Sequence, residues 1–176
     1  MRSPLARNLA AVLTACALFL GVAACNGDEK TSDAALQSKD PVKFAKTKFV
    51  LHAGLAAGAS YRWIVKPYRE GRFQNGADGR TFAMVKAGLA GAFTYHEVKK
   101  AIEAAQGDPT LSKALVPIQA AADKLQGLGG KLSGGNATEA DVNGVSSVVD
   151  SLKSIGAQNG LKVENKEPSV GQLNSG

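Results

Sequence analysis

The chain has 176 residues, enough for one ordinary domain, and 44% hydrophobic against 20% charged residues is the balance of a sequence that buries a core. Only 6% of the residues are aromatic and 20 are glycine, so that core must rest on Ala, Val, Leu and closely approaching backbone; the formal charge is +6. Two Cys and two His exclude a disulfide framework and a cysteine-rich metal module.

Arg2 and Arg7 precede an uncharged run from Leu9 to Val22, which ends in Ala23, Ala24 and Cys25. A short basic region, an apolar stretch and small residues are the parts of a secretory signal peptide, here 1–24. The run is about fourteen residues, short of the roughly 20 that span a bilayer. Its end, LGVAAC, resembles the lipobox of bacterial lipoproteins, which implies cleavage between Ala24 and Cys25 and acylation of the Cys25 thiol. Beyond that motif the chain resembles, in composition alone, the small Ala-rich and Gly-rich secreted lipoproteins of actinobacteria. Cys16 would leave with the leader, so a mature chain has no second cysteine to pair with Cys25, and acylation accounts for the remaining thiol. The expected location is extracytoplasmic, held to the cell membrane through that lipid.

Without Arg2 and Arg7 the charge falls to +4, nineteen bases against fifteen acids. Residues 41–106 hold eleven bases and four acids, whereas residues 107–176 hold six and seven, so the positive charge belongs to the first half of the domain. Residues 25–40 are mostly polar and read as a flexible tether. Asp40 and Pro41 are a helix cap followed by proline at the first helical position, and a first helix is expected to about Val65, where Lys66 and Pro67 interrupt it. After a Gly-rich connection at 68–79, a second helix is expected from Arg80 to Gln106. Asp108 and Pro109 repeat the start signal for a third, bent at Pro117 and ended by Gly127, Gly129, Gly130, Gly134 and Gly135. Thr138, with Glu139 and Asp141, opens a fourth that Asn159 and Gly160 close. The expected fold is all-α, an antiparallel four-helix bundle over 41–160 with an apolar, Gly/Ala-rich N-terminal hairpin and a flexible tail at 161–176.

The first two helices are apolar nearly all round, which suits either a buried hairpin or contact with lipid; their length favours the hairpin. Residues 52–56 (HAGLA) and 86–90 (KAGLA) echo each other at an offset of 34. Gly54, Gly58, Gly88 and Gly91 give each helix a smooth surface for close backbone approach.

The sharpest cluster of chemistry is the segment 61–73, which interleaves bases with aromatics and holds the only Trp. Arg62, Trp63, Lys66, Tyr68, Arg69 and Arg72 are its candidate anion-binding residues, since guanidinium forks match phosphate or carboxylate and ring faces stack on sugars or lie at headgroups. The same side chains would otherwise cap the helix end, their stems covering the rings. The expected role is a non-enzymatic binding or structural module of the envelope. Its partners would be the membrane through the lipid and a protein, an anionic lipid headgroup or an envelope polymer, with no nucleic acid. No catalytic motif, metal-ligand spacing or cofactor loop is present in the sequence. The alternative from another class is a hydrolytic or metal-dependent enzyme centred on His96, with Glu97 or Glu103 as its partner.

Overall fold

The computed structural model describes residues 41–174; the leader, Cys25 and the segment 25–40 lie outside the described residues. Pro41 starts α1 (Pro41–Ser60), which runs without a break through a π turn (Tyr61–Val65) into α2 (Lys66–Arg69). The expected interruption at Pro67 is therefore a widened turn, not an end. Pro67 has no N–H to give and its ring would collide with a carbonyl one α-turn back; in the π turn the Lys66 N–H reaches back five residues to the Tyr61 carbonyl, which makes room for the ring.

A loop then leads to α3 (Arg80–Ala105), entered through Gly79 at φ 67°. Asp108 caps α4 (Pro109–Asp123): its carboxylate accepts from the Thr110 and Leu111 N–H groups at 2.8 and 3.1 Å. Pro117 lies inside α4, and the break falls later, at Gly127, whose φ of 77° ends one helical direction and starts α5 (Leu128–Ser133). The long third helix expected from sequence is thus two helices. Thr138 and Asp141 form the capping box of α6 (Glu139–Gln158). Lys131 lies 2.7 Å from the Asp141 carboxylate and, with the two Thr138 hydrogen bonds, draws its pKa down to about 2. There is no strand among the described residues, and no helix there is long and apolar enough to cross a membrane.

The core is small-residue packing closed by a few large side chains. Phe49, Ile64, Leu111, Leu115, Leu132, Val145 and Leu152 are essentially fully buried among Ala53, Ala56, Ala87, Ala90 and Ala101. Helix α1 packs most extensively on α3; α3 in turn packs on α4, α4 on α6 and α6 on α1.

The tail corrects the expectation of a flexible end. After Gly160 (φ 72°) the chain runs extended back along α1 and finishes in a single helical turn, α7 (Val170–Leu173), whose Leu173 enters the core. The Lys166 N–H donates to the Gly54 carbonyl at 2.9 Å, and Pro168 is buried. A Cβ at Gly54 would stand 2.7 Å from the Glu164 carbonyl oxygen, and one at Gly58 would run into the Lys166 carbonyl. These glycines are close-approach positions, but what approaches is the tail and not a second helix. On α3, Gly88 and Gly91 do receive a helix: Gly129 of α5 packs against both, and a Cβ on Gly129 would meet the Gly88 carbonyl at 2.7 Å.

Glycines of two kinds therefore respond oppositely to alanine. Gly58→Ala should cost about 1 to 3 kcal/mol by forcing the tail off α1. Gly144→Ala, in α6 where nothing lies within 4 Å of the new methyl, should be neutral or gain up to about 1 kcal/mol of helix preference. Urea unfolding of the two variants checks this, and equal effects would mean that the tail does not rest on Gly58.

Candidate functional site

The end of α1, the π turn and α2 stand beside the start of α3, and a cleft of about 390 Å³ opens between them. That is within the range of small-ligand sites. Arg62, Trp63, Lys66 and Pro67 form one wall, Phe82, Ala83 and Lys86 the other, and Glu70, Arg72, Asp78 and Gly79 line the loop side.

Of the six residues singled out from sequence, the fold brings four together: Arg62, Trp63, Lys66 and Arg72. The other two are directed elsewhere. Tyr68 lines a separate cavity with Met84 and Leu132, its ring 6.2 Å from that of Phe73. Arg69 lies in a groove on another side of the rod, with Tyr61 and Lys153. Phe82 and Lys86, which the sequence reading did not include, complete the cleft. Their spacing of four residues puts them on one helix face, and the antiparallel hairpin carries that face to the end of α1.

Trp63 is the floor of the electrostatics. The Arg62 guanidinium carbon sits 5.0 Å from its ring centroid and the Lys86 ammonium 5.1 Å, while the same ammonium lies 3.9 Å over the ring of Phe82. Contacts of this kind contribute roughly 0.5 to 2 kcal/mol each and hold the cations against apolar surface without neutralising them. Phe82 is nevertheless 64% exposed, an apolar edge at the mouth of a cationic cleft. Arg72 approaches Glu70 only to 3.9 Å, and neither Lys66 nor Lys86 is in an ion pair among the described residues. Arg62 is paired, at 2.8 Å, with Glu167 of the tail, and the Trp63 indole N–H points to the Pro168 carbonyl at 3.4 Å.

The histidines take separate places. His96 is exposed, its ring edge against Tyr95 at 5.4 Å, and Glu103 is exposed as well. Glu97 turns inward instead and meets His52 of α1, Nδ1 to Oε2 at 2.7 Å, with the Lys100 ammonium on its other oxygen at 3.0 Å. The constellation of His96 with Glu97 or Glu103 is thus not assembled: Glu97, the next residue, diverges from His96 by about 100°, and Glu103, on nearly the same face, lies about 10 Å further along the helix. Among the described residues no group of three His, Cys, Asp or Glu is placed to hold a metal ion. A larger groove of about 520 Å³ between α4 and α6 has an apolar floor of Ile118, Leu125 and Val148, and its Lys131 is committed to Asp141.

Compared with known proteins, the chain matches no family model, no curated protein and no solved structure.

Burial pushes the Glu97 carboxyl up, but the hydrogen bonds and charges of His52 and Lys100 outweigh it and hold the pKa below the ordinary 4.5. A carboxyl titrating lower in the folded than in the unfolded chain stabilises the fold above that ordinary value, and the benefit disappears as pH falls through the lowered one. Glu97→Gln should therefore cost about 1 to 3 kcal/mol at pH 7. The gap from wild type should narrow as pH drops below 4.5. Urea unfolding at pH 7 and at acid pH measures it; a gap independent of pH would remove ionised Glu97 from the stability of the α1 and α3 pair.

Proposed function

We propose that the chain is an extracytoplasmic lipoprotein, anchored through acylated Cys25, whose helical domain is a non-enzymatic binding module for an anionic group of the envelope. The observation that carries the binding reading is the convergence of Arg62, Lys66, Arg72 and Lys86 on one aromatic-walled cleft in which both lysines lack a carboxylate partner among the described residues. Glu70 and Asp78 also line the cleft and Glu167 pairs with Arg62, but Lys66 and Lys86 are in no ion pair among the described residues, and an anion that they meet would offset the repulsion of the cations gathered there. The rings make the wall apolar and raise the strength of each charge contact inside it. A phosphate or carboxylate carried on an apolar or ring-bearing scaffold fits these walls: the anion to the cations, the remainder to Trp63, Pro67 and Phe82. The fold that displays the cleft is read as an antiparallel four-helix bundle, and the closed cycle of contacts α1 to α3 to α4 to α6 to α1 supports it.

Binding should depend on the cleft and not on the whole basic segment. With vesicles containing phosphatidylglycerol in one arm and soluble polyphosphate in another, Lys66→Ala with Lys86→Ala should weaken binding about tenfold, and raising salt should weaken it further. Arg69→Ala should have little effect in either arm. The arm that binds identifies the source of the anion, and binding in either arm that ignores the two lysines, or absence of binding in both, would overturn the reading.

The anchor is tested separately. In detergent phase partitioning the full-length protein from a bacterial host should enter the detergent phase and Cys25→Ala the aqueous phase. Identical partitioning would rule out lipid attachment at Cys25.

A further inference from the structure

We infer that Glu167 is a built-in competitor for the anion of the cleft, a carboxylate that the tail delivers to Arg62 and that an incoming ligand must displace. The inference rests on the reading of the cleft as an anion site.

Glu167 is 105 residues from Arg62 in sequence, yet its Oε2 lies 2.8 Å from Arg62 Nη1. The meeting is fixed by the backbone on both sides. Before it, the Lys166 N–H is bound to the Gly54 carbonyl and the Lys166 backbone lies against Gly58; after it, the Pro168 carbonyl faces the Trp63 indole N–H, and Pro168 and Leu173 are buried. The tail therefore has its own anchorage, independent of the ion pair. The pair itself is half exposed, 49% for Arg62 and 48% for Glu167, and an ion pair in that setting contributes little to stability. What it does contribute is occupancy: of the four cationic side chains in the cleft, Arg62 alone has a carboxylate within close hydrogen-bond distance.

Glu167 is not among the residues that line the cleft; it reaches the guanidinium from the tail. A carboxylate bound through one nitrogen leaves most of the five donors of a guanidinium unused. An anion with three or more oxygens, such as a phosphomonoester, can take that fork bidentately while also meeting Lys66 or Lys86, whereas Glu167 reaches Arg62 alone. Exchange then releases one exposed side chain and leaves Pro168 and Leu173 in place. The resting affinity is lowered by Glu167, and the ligand class that overcomes it is the phosphate type.

The test uses the full-length protein with phenyl phosphate, a phosphomonoester on an apolar ring, titrated at low salt into wild type, Glu167→Gln, Glu167→Ala and the Lys66→Ala, Lys86→Ala pair. Both Glu167 variants should bind phenyl phosphate about two- to fivefold more tightly than wild type, the size expected from removing one exposed ionic competitor, and the lysine pair should bind more weakly. If the lysine dependence holds but the Glu167 variants bind equally or less well, Glu167 is no competitor and this inference fails while the anion site stands. If none of the proteins binds phenyl phosphate, or binding ignores the lysines, the anion site itself fails. Thermal melting of the Glu167 variants within a few degrees of wild type shows that the tail is still seated, as Pro168 and Leu173 require.

Discussion

The absence of two Cβ atoms, at Gly54 and Gly58, is the constraint on which the seating of the tail along α1 depends. A helix normally keeps a neighbouring backbone at the distance of its side chains, 8 to 10 Å between axes for two helices. Here the tail carbonyls at Glu164 and Lys166 lie where a methyl would be, and the Gly54 carbonyl accepts from the Lys166 N–H. Because the tail is laid that close, Glu167 and Pro168 arrive one turn later opposite Arg62 and Trp63. Each glycine inside the helix costs roughly 1 kcal/mol against alanine, and the packing of Pro168, Leu173 and the partly buried Val163 on the core offsets that cost. Helix α3 uses the same device with Gly88 and Gly91 to seat α5. The echo between residues 52–56 and 86–90 thus marks two helices that each accept a short accessory segment on a bare surface.

The second constraint is the π turn. In a regular α-helix a residue seven positions on from Arg62 returns to nearly the same face, so Arg69 would join Arg62 in the cleft. The extra residue in the turn at Tyr61–Val65 sets everything after it back by about 100°. Lys66, Pro67 and Glu70 come under Arg62 instead, while Arg69 turns toward α6 and Tyr68 toward α5. Pro67, which imposes the wide turn, is itself part of the wall that it shapes.

Much of this fold was legible in the sequence because its signals are local. The carboxylate of Asp108 before Pro109 and the pairing of Thr138 with Asp141 are caps made within four residues, and both start helices where the pattern placed them. Of the interleaved bases and aromatics of 61–73, the fold places Arg62, Trp63, Lys66 and Arg72 on one cleft. The divergence of Tyr68 and Arg69 was not legible, since hydrophobic periodicity assumes a constant 3.6 residues per turn and the π turn breaks that phase. Lys86 and Phe82 stood out only as a lone charge and a lone ring until α3 lay against α1. The tail was illegible for a different reason: it is held by backbone contacts to glycine and by widely spaced apolar anchors, Leu161, Val163, Pro168 and Leu173, which have no common period.

Position along α1 separates the two tasks of the proposed function. The cleft begins at Arg62, twenty-one residues after Pro41, and at 1.5 Å per residue that is about 30 Å along the helix. A lipid acting through the residues that precede Pro41 would pull on one end of α1, while Arg62, Lys66 and Lys86 line the cleft proposed for the anion at the other. On the proposed function, attachment and anion recognition would draw on different surfaces, set apart along a helix whose middle is buried through Phe49, Ala53 and Ala56. Loss of the acyl chain should leave the chemistry of the cleft intact, and charge reversal in the cleft should leave the anchor intact. That independence follows from geometry: an exposed charge is screened within about 8 Å at physiological ionic strength, about a quarter of the length of helix between them.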